Sequence, residues 1–159
     1  MTAPRSDRWL MKSEPDEFSI DDLAARPGRC GAWDGVRNYQ ARNYLRDAMQ
    51  IGDLAFFYHS SCPVPGIHGV VSIVRAAYPD PAQFDRRSAY FDAKSTRAAP
   101  RWSAVDVRLV ERWDTPVTLD RLRALAACAG MVTLRRGNRL SITPVTAREW
   151  RAVCAAVGR

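Results

Sequence analysis

The chain has 159 residues, of which 47% are hydrophobic and 26% are charged. This length suits one domain that buries roughly 68–70% of its unfolded surface, and the composition excludes a disordered or collagen-like protein. The formal net charge is +7, and arginine carries the excess because Lys12 and Lys94 are the only lysines. Guanidinium groups match phosphate oxygens and base edges, which favours a nucleic-acid partner. An arginine-rich proteome explains much of the same charge.

Targeting and metal signals are lacking in the sequence. The first residues, MTAPRSDRW, contain no apolar signal-peptide core, and nowhere do 18 apolar residues run together. We therefore expect a cytoplasmic protein with no membrane partner. The four cysteines lie far apart and form neither a CxxC pair nor a Cys/His cluster with metal spacing. Neither a metal nor a cofactor is predicted, and the oligomeric state is left undefined.

The first predicted element is a short strand, WLMKS, at residues 9–13. A helix follows, for which Ser19 begins a capping box. The next segment, GAWDG at residues 31–35, is predicted to be a loop. Asn38 is predicted to cap a second helix that runs to about Gln50.

The middle of the chain is rich in strand-forming residues. Residues 53–60 and 66–75 are predicted strands, and an alternating pattern returns at residues 102–113. Between them, residues 79–101 are polar, basic and punctuated by proline, with a short predicted strand at SAYFD, residues 88–92.

The last part of the chain predicts two helices around a short β-rich segment. Thr118 caps the first helix, two short strands flank an Arg-Arg-Gly-Asn turn, and Thr146 with Glu149 forms a capping box for the final helix. About six strands and four helices without regular alternation predict an α+β fold built around a small, mostly antiparallel β-barrel. We expect one domain over residues 1–159, with its core at about 8–157.

Residues that could carry catalysis are few. His59 and His68 lie in or beside predicted strands, where a structural histidine is the commoner outcome, and no phosphate loop, dinucleotide fingerprint or hydrolase motif is present. Glu14 and Asp16 follow the first strand, where capping and turn formation readily explain acidic residues. We therefore predict no catalytic residue. The alternative is an enzyme acting on a nucleotide or RNA, with Glu14 or His59 as general base.

Trp33 is the centre of a candidate binding site. It stands between Gly31 and Gly35, ahead of an Arg-Asn-Tyr-Gln run at a predicted helix N-terminus. A ring on a loop offers an uncrowded face for stacking, while arginine and a helix N-terminus attract phosphate. These residues leave open the alternative that Trp33 plugs the end of the barrel.

Five stretches of the chain resemble the EVE domain family. They are WLMKSEPDEFSIDDL, WDGVRNYQARNYLRD, GDLAFFYHSSCPVPGIHGVVSIVRAAYPD, RWSAVDVRLV and RLSITPVTAREW, and the resemblance covers nearly the whole chain, from about Arg8 to Val157. The resemblance implies a PUA-like β-barrel related to the YTH domains, which read methylated adenine in RNA. It also implies an association with modified bases such as 5-methylcytosine.

The resemblance further implies a base cage that begins at a tryptophan after the first helix, which is Trp33 here. Residues after the first strand read the base edge in that superfamily, and aromatic residues before the VDVRLV strand close the cage. The carboxylate of Glu14 would favour a base edge rich in donors. The expected base-binding residues are Lys12, Ser13, Glu14, Trp33, Asp34, His59, Ser60, Tyr90, Phe91 and Trp102, and the expected phosphate-binding residues are Arg37, Asn38, Arg42, Arg97 and Arg139.

The predicted function is non-enzymatic binding of one modified nucleobase, such as a methylated cytosine or adenine, in DNA or RNA. The base would be single-stranded or flipped out of a duplex. Trp33 is expected to be open enough that its replacement by alanine leaves the fold intact. A protein-interaction module without a base ligand is the remaining alternative.

Overall fold

The computed structural model describes residues 5–159, which contain six strands in one sheet. The strands are β1 (Arg8–Ser13), β2 (Cys30–Trp33), β3 (Leu54–His59), β4 (Gly66–Pro79), β5 (Ser103–Thr118) and β6 (Ile142–Pro144). Their order across the sheet is β2-β5-β4-β3-β1-β6. Only β1 and β3 are parallel neighbours, and the other pairs are antiparallel. The predicted α+β fold is confirmed.

Four α-helices lie within the same described residues: α1 (Ile20–Ala25), α2 (Tyr39–Asn43), α3 (Leu119–Ala124) and α4 (Ala147–Ala156). The capping boxes predicted at Ser19 and Thr146 are both present, and the Asn38 side chain accepts from the amide of Ala41. A π-helical turn, Tyr44–Ala48, continues α2, so this helical segment ends two residues before Gln50. Local capping chemistry therefore predicts these helix starts correctly.

The sheet is open, so the closed barrel that was expected is not formed. β2 has four residues and β6 has three, and each pairs with a single neighbour at its own edge of the sheet. Strands β4 and β5 are long, and their pairing shifts register at several points. Such irregularities bend a strand pair and increase its twist, which curves the sheet without closing it.

Two hydrophobic clusters cover the two faces of the sheet. Alternation along β1 sends Trp9 and Met11 into the cluster that α1 and α2 cover, and Leu10 into the cluster that α3 and α4 cover. Phe57 and Phe56 on β3 divide in the same way. The period of two along each strand therefore assigns neighbouring residues to opposite cores.

Three local predictions are wrong. The segment predicted as a loop at residues 31–35 begins as strand β2, because Gly31 to Trp33 pair with β5. The predicted strand at residues 88–92 is a turn, closed by a bond from the amide of Phe91 to the carbonyl of Ser88. The first of the two short strands predicted near the Arg-Arg-Gly-Asn segment is a 3-10 turn, Val132–Leu134.

The helices within residues 5–159 are short. The longest, α4, has ten residues. None of those described is long and apolar enough to cross a membrane.

Candidate functional site

A cleft of about 730 Å³ opens where the parallel strands β1 and β3 end. Ser13 is paired with His59 at these strand ends, and the following residues, Glu14 and Ser60, line the cleft. The carboxyl ends of neighbouring parallel strands meet at one edge, where ligands commonly bind, and the volume suits a small ligand. The lining residues are Lys12, Ser13, Glu14, Glu17, Phe18, Arg26, Ala32, Trp33, Asp34, Gly35, Val36, Arg37, Ser60, Ser61, Tyr90, Arg139 and Ser141.

Trp33 belongs both to this cleft and to the core. It is the last residue of β2 and only 5% exposed, with its ring edge-on to Phe57 at 5.1 Å and to Phe18 at 6.2 Å between ring centres. The expectation of a ring carried on a loop is wrong, because pairing with β5 draws this residue into the sheet. Trp33 also lines the cleft, so its loss would affect packing and binding together.

Tyr90 lines the cleft and is held in place by three contacts. Its hydroxyl donates to the Glu17 carboxylate oxygens at 2.7 and 2.8 Å, and its carbonyl accepts from Nε and Nη2 of Arg37 at 3.1 and 2.8 Å. Gly35 packs against the ring with φ +75°, and a Cβ there would lie 2.9 Å from a ring carbon. Burial and the Glu17 carboxylate raise the pKa of Tyr90 to about 12, so the hydroxyl remains a donor.

The polar groups of the cleft offer both donors and acceptors. The Ser13 hydroxyl donates to the carbonyl of Phe18 at 2.7 Å, which leaves its oxygen able to accept. Burial lowers the pKa of Lys12, whose ammonium lies 5.6 Å from the centre of the Tyr58 ring. Burial and the nearby charge of Asp80 raise the pKa of Asp34. When protonated, a carboxyl group can present an acceptor and a donor side by side.

Two arginines that were expected to bind phosphate form hydrogen bonds or ion pairs within the protein instead. Arg37 forms an ion pair with the fully buried carboxylate of Asp80 at 2.9 Å, in addition to its bonds to Tyr90. Arg42 donates from Nη1 to the carbonyl of Arg101 at 2.8 Å, and its guanidinium lies 4.7 Å from the Tyr39 ring centre. Both side chains brace the segment after β4, and neither is free to act chiefly as a phosphate ligand.

The other three expected phosphate ligands differ from one another. Asn38 caps α2, and its side chain accepts from the amide of Ala41, so its oxygen is used within the protein. Arg97 places its guanidinium 4.7 Å from the Phe84 ring centre and does not line the cleft. Arg139 does line the cleft.

Three of the expected base-binding residues lie outside the cleft lining. His59 is buried, and its Nε2 accepts from the amide of Ile20 at 3.1 Å. Trp102 stacks on Tyr39 at 4.8 Å and donates from Nε1 to Asp92 at 2.8 Å. Phe91 is 38% exposed and is not among the residues that line the cleft. The rings of His59 and Trp102 are packed against other parts of the protein. None of the three residues lines the cleft.

The cleft also contains residues that sequence reasoning missed. Ser141 reaches it because β6 pairs with β1, and its carbonyl accepts from the amide of Lys12 at 2.7 Å. Gly35 and Val36 stand inside the WDGVR motif, and Phe18 stands inside the first quoted stretch, so the resemblance could have identified them. Ser141 likewise stands inside the last quoted stretch, whereas no comparable signal marks Arg26. Within residues 5–159, no cluster of three or more His, Cys, Asp or Glu side chains is arranged to hold a metal ion.

Comparison with known proteins gives a consistent result. The model of the EVE domain matches residues 7–156. Human thymocyte nuclear protein 1 is 46% identical over 162 residues, which cover 91% of this chain and 71% of the human protein.

Two solved structures share the fold. A crystal structure of a Pseudomonas syringae protein is 51% identical with a TM-score of 0.89, covering 94% of this chain and 98% of that one. A crystal structure of human THYN1 in complex with DNA containing 5-methylcytosine is 41% identical with a TM-score of 0.90, covering 96% of this chain and 98% of that one.

Proposed function

The chain belongs to the EVE domain family, and we propose from this premise that it binds a modified nucleobase, foremost a methylated cytosine, in a nucleic-acid strand. Residues 8–157 act as one binding domain, and no reaction is catalysed on the base. The observation that carries the proposal is the cleft itself, in which Trp33 and Tyr90 meet polar groups from the ends of β1 and β3. Its relative human THYN1 is described in complex with DNA that contains 5-methylcytosine, which favours cytosine and DNA.

The binding mechanism follows from what lines the cleft. The base enters beside Trp33 and Tyr90, whose rings contact its apolar faces and supply about 1–3 kcal/mol of stacking. Ser13, Glu14 and Asp34 then contact its polar edge. The cytosine edge carries an exocyclic amine donor beside a ring-nitrogen acceptor, and a protonated carboxyl group matches both. The raised pKa of Asp34 favours that protonated form.

The form of the strand affects the affinity. Extracting a base from a duplex costs a few kcal/mol, so a single-stranded or already distorted site binds more readily. RNA offers the same base edges as DNA, and both remain within the proposal. Burial of one methyl group contributes about 0.8 kcal/mol, which corresponds to about a fourfold preference for the methylated base. The cytoplasmic location expected from the sequence stays a prediction.

The two alternative functions are less well supported by the geometry. An enzyme using His59 as general base is disfavoured, because this ring lies outside the cleft lining and its Nε2 is occupied by the Ile20 amide. Burial and the neighbouring His68 lower the pKa of His59 to about 4, which makes it a weak base. Glu14 lines the cleft and is the residue on which an enzymatic alternative depends. A cleft filled with the protein's own side chains would favour a protein-interaction module, whereas this cleft is open.

Filling the cleft tests the proposal with little risk to the fold. Ala32 is exposed on edge strand β2 and lines the cleft, so Ala32→Trp places a large ring in the binding space. Val110 is 45% exposed on β5 outside the cleft, so Val110→Trp is a matched control. Binding of a fluorescent single-stranded oligonucleotide with one 5-methylcytosine should weaken at least tenfold in Ala32→Trp and remain unchanged in Val110→Trp. Equal affinities in the two variants would refute the proposed site.

A further inference from the structure

The positive charge of the protein is concentrated in one part of the sequence. Residues 121–148 contain six arginines and no lysine, aspartate or glutamate, so this stretch carries +6 of the formal net charge of +7. The remaining 131 residues are therefore close to neutral. Because this stretch contains no carboxylate, only carboxylates from other parts of the fold can neutralise its arginines.

Three of these arginines lie on one turn beside the cleft. Residues 135–139, which we name the basic turn, contain Arg135, Arg136 and Arg139, and all three are exposed. The amide of Asn138 donates to the carbonyl of Arg135 at 3.0 Å, and Gly137 has φ +78°, a left-handed conformation that glycine adopts without strain.

The basic turn is anchored at both ends. The Asn138 side chain donates to the carbonyl of Val132 at 2.9 Å and accepts from the amide of Leu140 at 2.9 Å. Ser141, just beyond the turn, is tied to Lys12 of β1 through its carbonyl. Arg139 and Ser141 both line the cleft, so the turn is fixed at the cleft rim.

The guanidinium groups of the basic turn differ from the other arginines near the cleft. Among residues 5–159, the side chains of Arg135, Arg136 and Arg139 form no ion pair and no hydrogen bond. Arg37 and Arg42, by contrast, are used within the protein. Three exposed forks on a fixed turn present donors that no group of residues 5–159 occupies, and phosphate oxygens are groups that such forks bind well.

We propose that the basic turn binds the backbone phosphates of the strand whose base occupies the cleft. This inference rests on the proposed function, because the cleft defines where the strand lies. The turn contributes affinity without reading sequence, since phosphate contacts are the same for every base. The strand enters the cleft along Arg139, and Arg135 and Arg136 bind adjacent phosphates.

Two triple variants with the same change of charge test this inference. The first is Arg135→Gln, Arg136→Gln and Arg139→Gln. The control is Arg108→Gln, Arg148→Gln and Arg151→Gln, which alters exposed arginines outside the cleft lining. Binding of single-stranded oligonucleotides with 5-methylcytosine or plain cytosine is measured by anisotropy at several salt concentrations. Binding of free 5-methyl-2′-deoxycytidine, which has no phosphate, is measured by NMR.

The expected result is specific to the basic turn. Its variant should lower the slope of log affinity against log salt by about two units for both strands, since each contact to a single strand contributes about 0.7. Free nucleoside binding should be unchanged, and the control should keep the wild-type slope. Equal slopes in the two triple variants would overturn the inference, even with the methyl preference intact. If the basic-turn variant lowers the slope but the wild-type protein shows no preference for the methylated strand, the phosphate-binding surface is supported and the proposed function is contradicted.

Discussion

Two groups of arginines near the cleft use their guanidinium groups in opposite ways. Arg37, just before α2, and Arg42, in its last turn, bind a buried carboxylate, backbone carbonyls and aromatic rings of their own chain. The arginines of the basic turn have no such partners among residues 5–159 and remain exposed. The first group fixes the wall of the cleft, including Tyr90, and the second presents charge at its rim. Arginine count alone therefore gives no measure of how many phosphates a surface can bind.

The largest expected effect is on the free energy of unfolding, which should depend on Arg37 and very little on the arginines of the basic turn. Arg37→Ala leaves the fully buried carboxylate of Asp80 without its cation, and such a loss costs about 3–5 kcal/mol of unfolding free energy. Arg136→Ala should change that free energy by about 0.5 kcal/mol or less, because the side chain is exposed and lacks partners. Urea unfolding of both variants measures the difference. Matching midpoints would show that Arg37 does not brace the wall.

Lowering the pH should destabilise the fold through His59, which lies outside the cleft lining, and should leave the charge of the basic turn unchanged. The folded pKa of His59 is about 4, below its ordinary 6.5, because of burial and then His68. The unfolded chain therefore binds more protons between these values, so stability is complete above pH 6.5 and falls as the pH approaches 4. Near pH 4.5 the loss from this group is about 2–3 kcal/mol.

His59→Gln removes the titrating ring and retains an acceptor for the Ile20 amide. Its unfolding free energy should decrease less than that of the wild type between pH 7 and pH 4.5. The triple glutamine variant of the basic turn should follow the wild type, because arginine does not titrate in this range. Parallel pH profiles for His59→Gln and the wild type would contradict the assignment.

Tyr90 distinguishes stacking from phosphate contact. Tyr90→Ala should weaken oligonucleotide binding by about 1–3 kcal/mol, or roughly five- to 150-fold, while the salt slope stays constant. Tyr90→Phe retains the ring and loses the Glu17 bond, so it should bind more tightly than the alanine variant. Anisotropy titrations at three salt concentrations test both expectations. A lower slope in Tyr90→Ala would mean that the wall also contributes to phosphate binding.

The smallest expected effect is the preference for the methyl group. Wild-type protein should bind a 5-methylcytosine strand about fourfold more tightly than a cytosine strand, from about 0.8 kcal/mol of burial. The basic-turn triple variant should show the same ratio at lower overall affinity, because phosphate contacts do not sense the base. Competition binding at one salt concentration gives this ratio. If the basic-turn triple variant changed this affinity ratio, the basic turn would contribute to recognition of the base as well as to phosphate binding.

The features that the sequence predicted well depend on neighbouring residues. The caps at Ser19, Asn38 and Thr146 are formed within a few residues. Runs of strand-forming residues mark β3 and the start of β4, and alternation marks the first half of β5. β2 was missed because Cys30 to Trp33 lack strand-like alternation and become a strand only by pairing with β5, more than 70 residues later. The openness of the sheet was hidden for a related reason. Its two edges are the short strands β2 and β6, and the sequence does not show that these two strands do not pair with each other.

The candidate site was predictable where it follows the ends of β1 and β2. Lys12, Ser13 and Trp33 were expected from the resemblance and do line one cleft. The sequence could not show which of Tyr90 and Trp102 lines the cleft. Only the fold shows that Trp102 stacks on Tyr39 instead. The partners of Arg37 were equally hidden, since Asp80 and Tyr90 lie 43 and 53 residues away.

The central claim is that a modified base occupies the cleft beside Trp33, and the indole N–H resonances of the five tryptophans test it directly. Trp113 and Trp150 pack with the cluster on the opposite face of the sheet and are internal controls. Replacement of Trp33 by phenylalanine, which retains a ring for packing, assigns its peak in ¹H–¹⁵N spectra. During titration with a short 5-methylcytosine strand, the Trp33 peak should shift progressively while those of Trp113 and Trp150 stay fixed. A stationary Trp33 peak at saturating strand, with shifts at Trp113 or Trp150, would contradict the account.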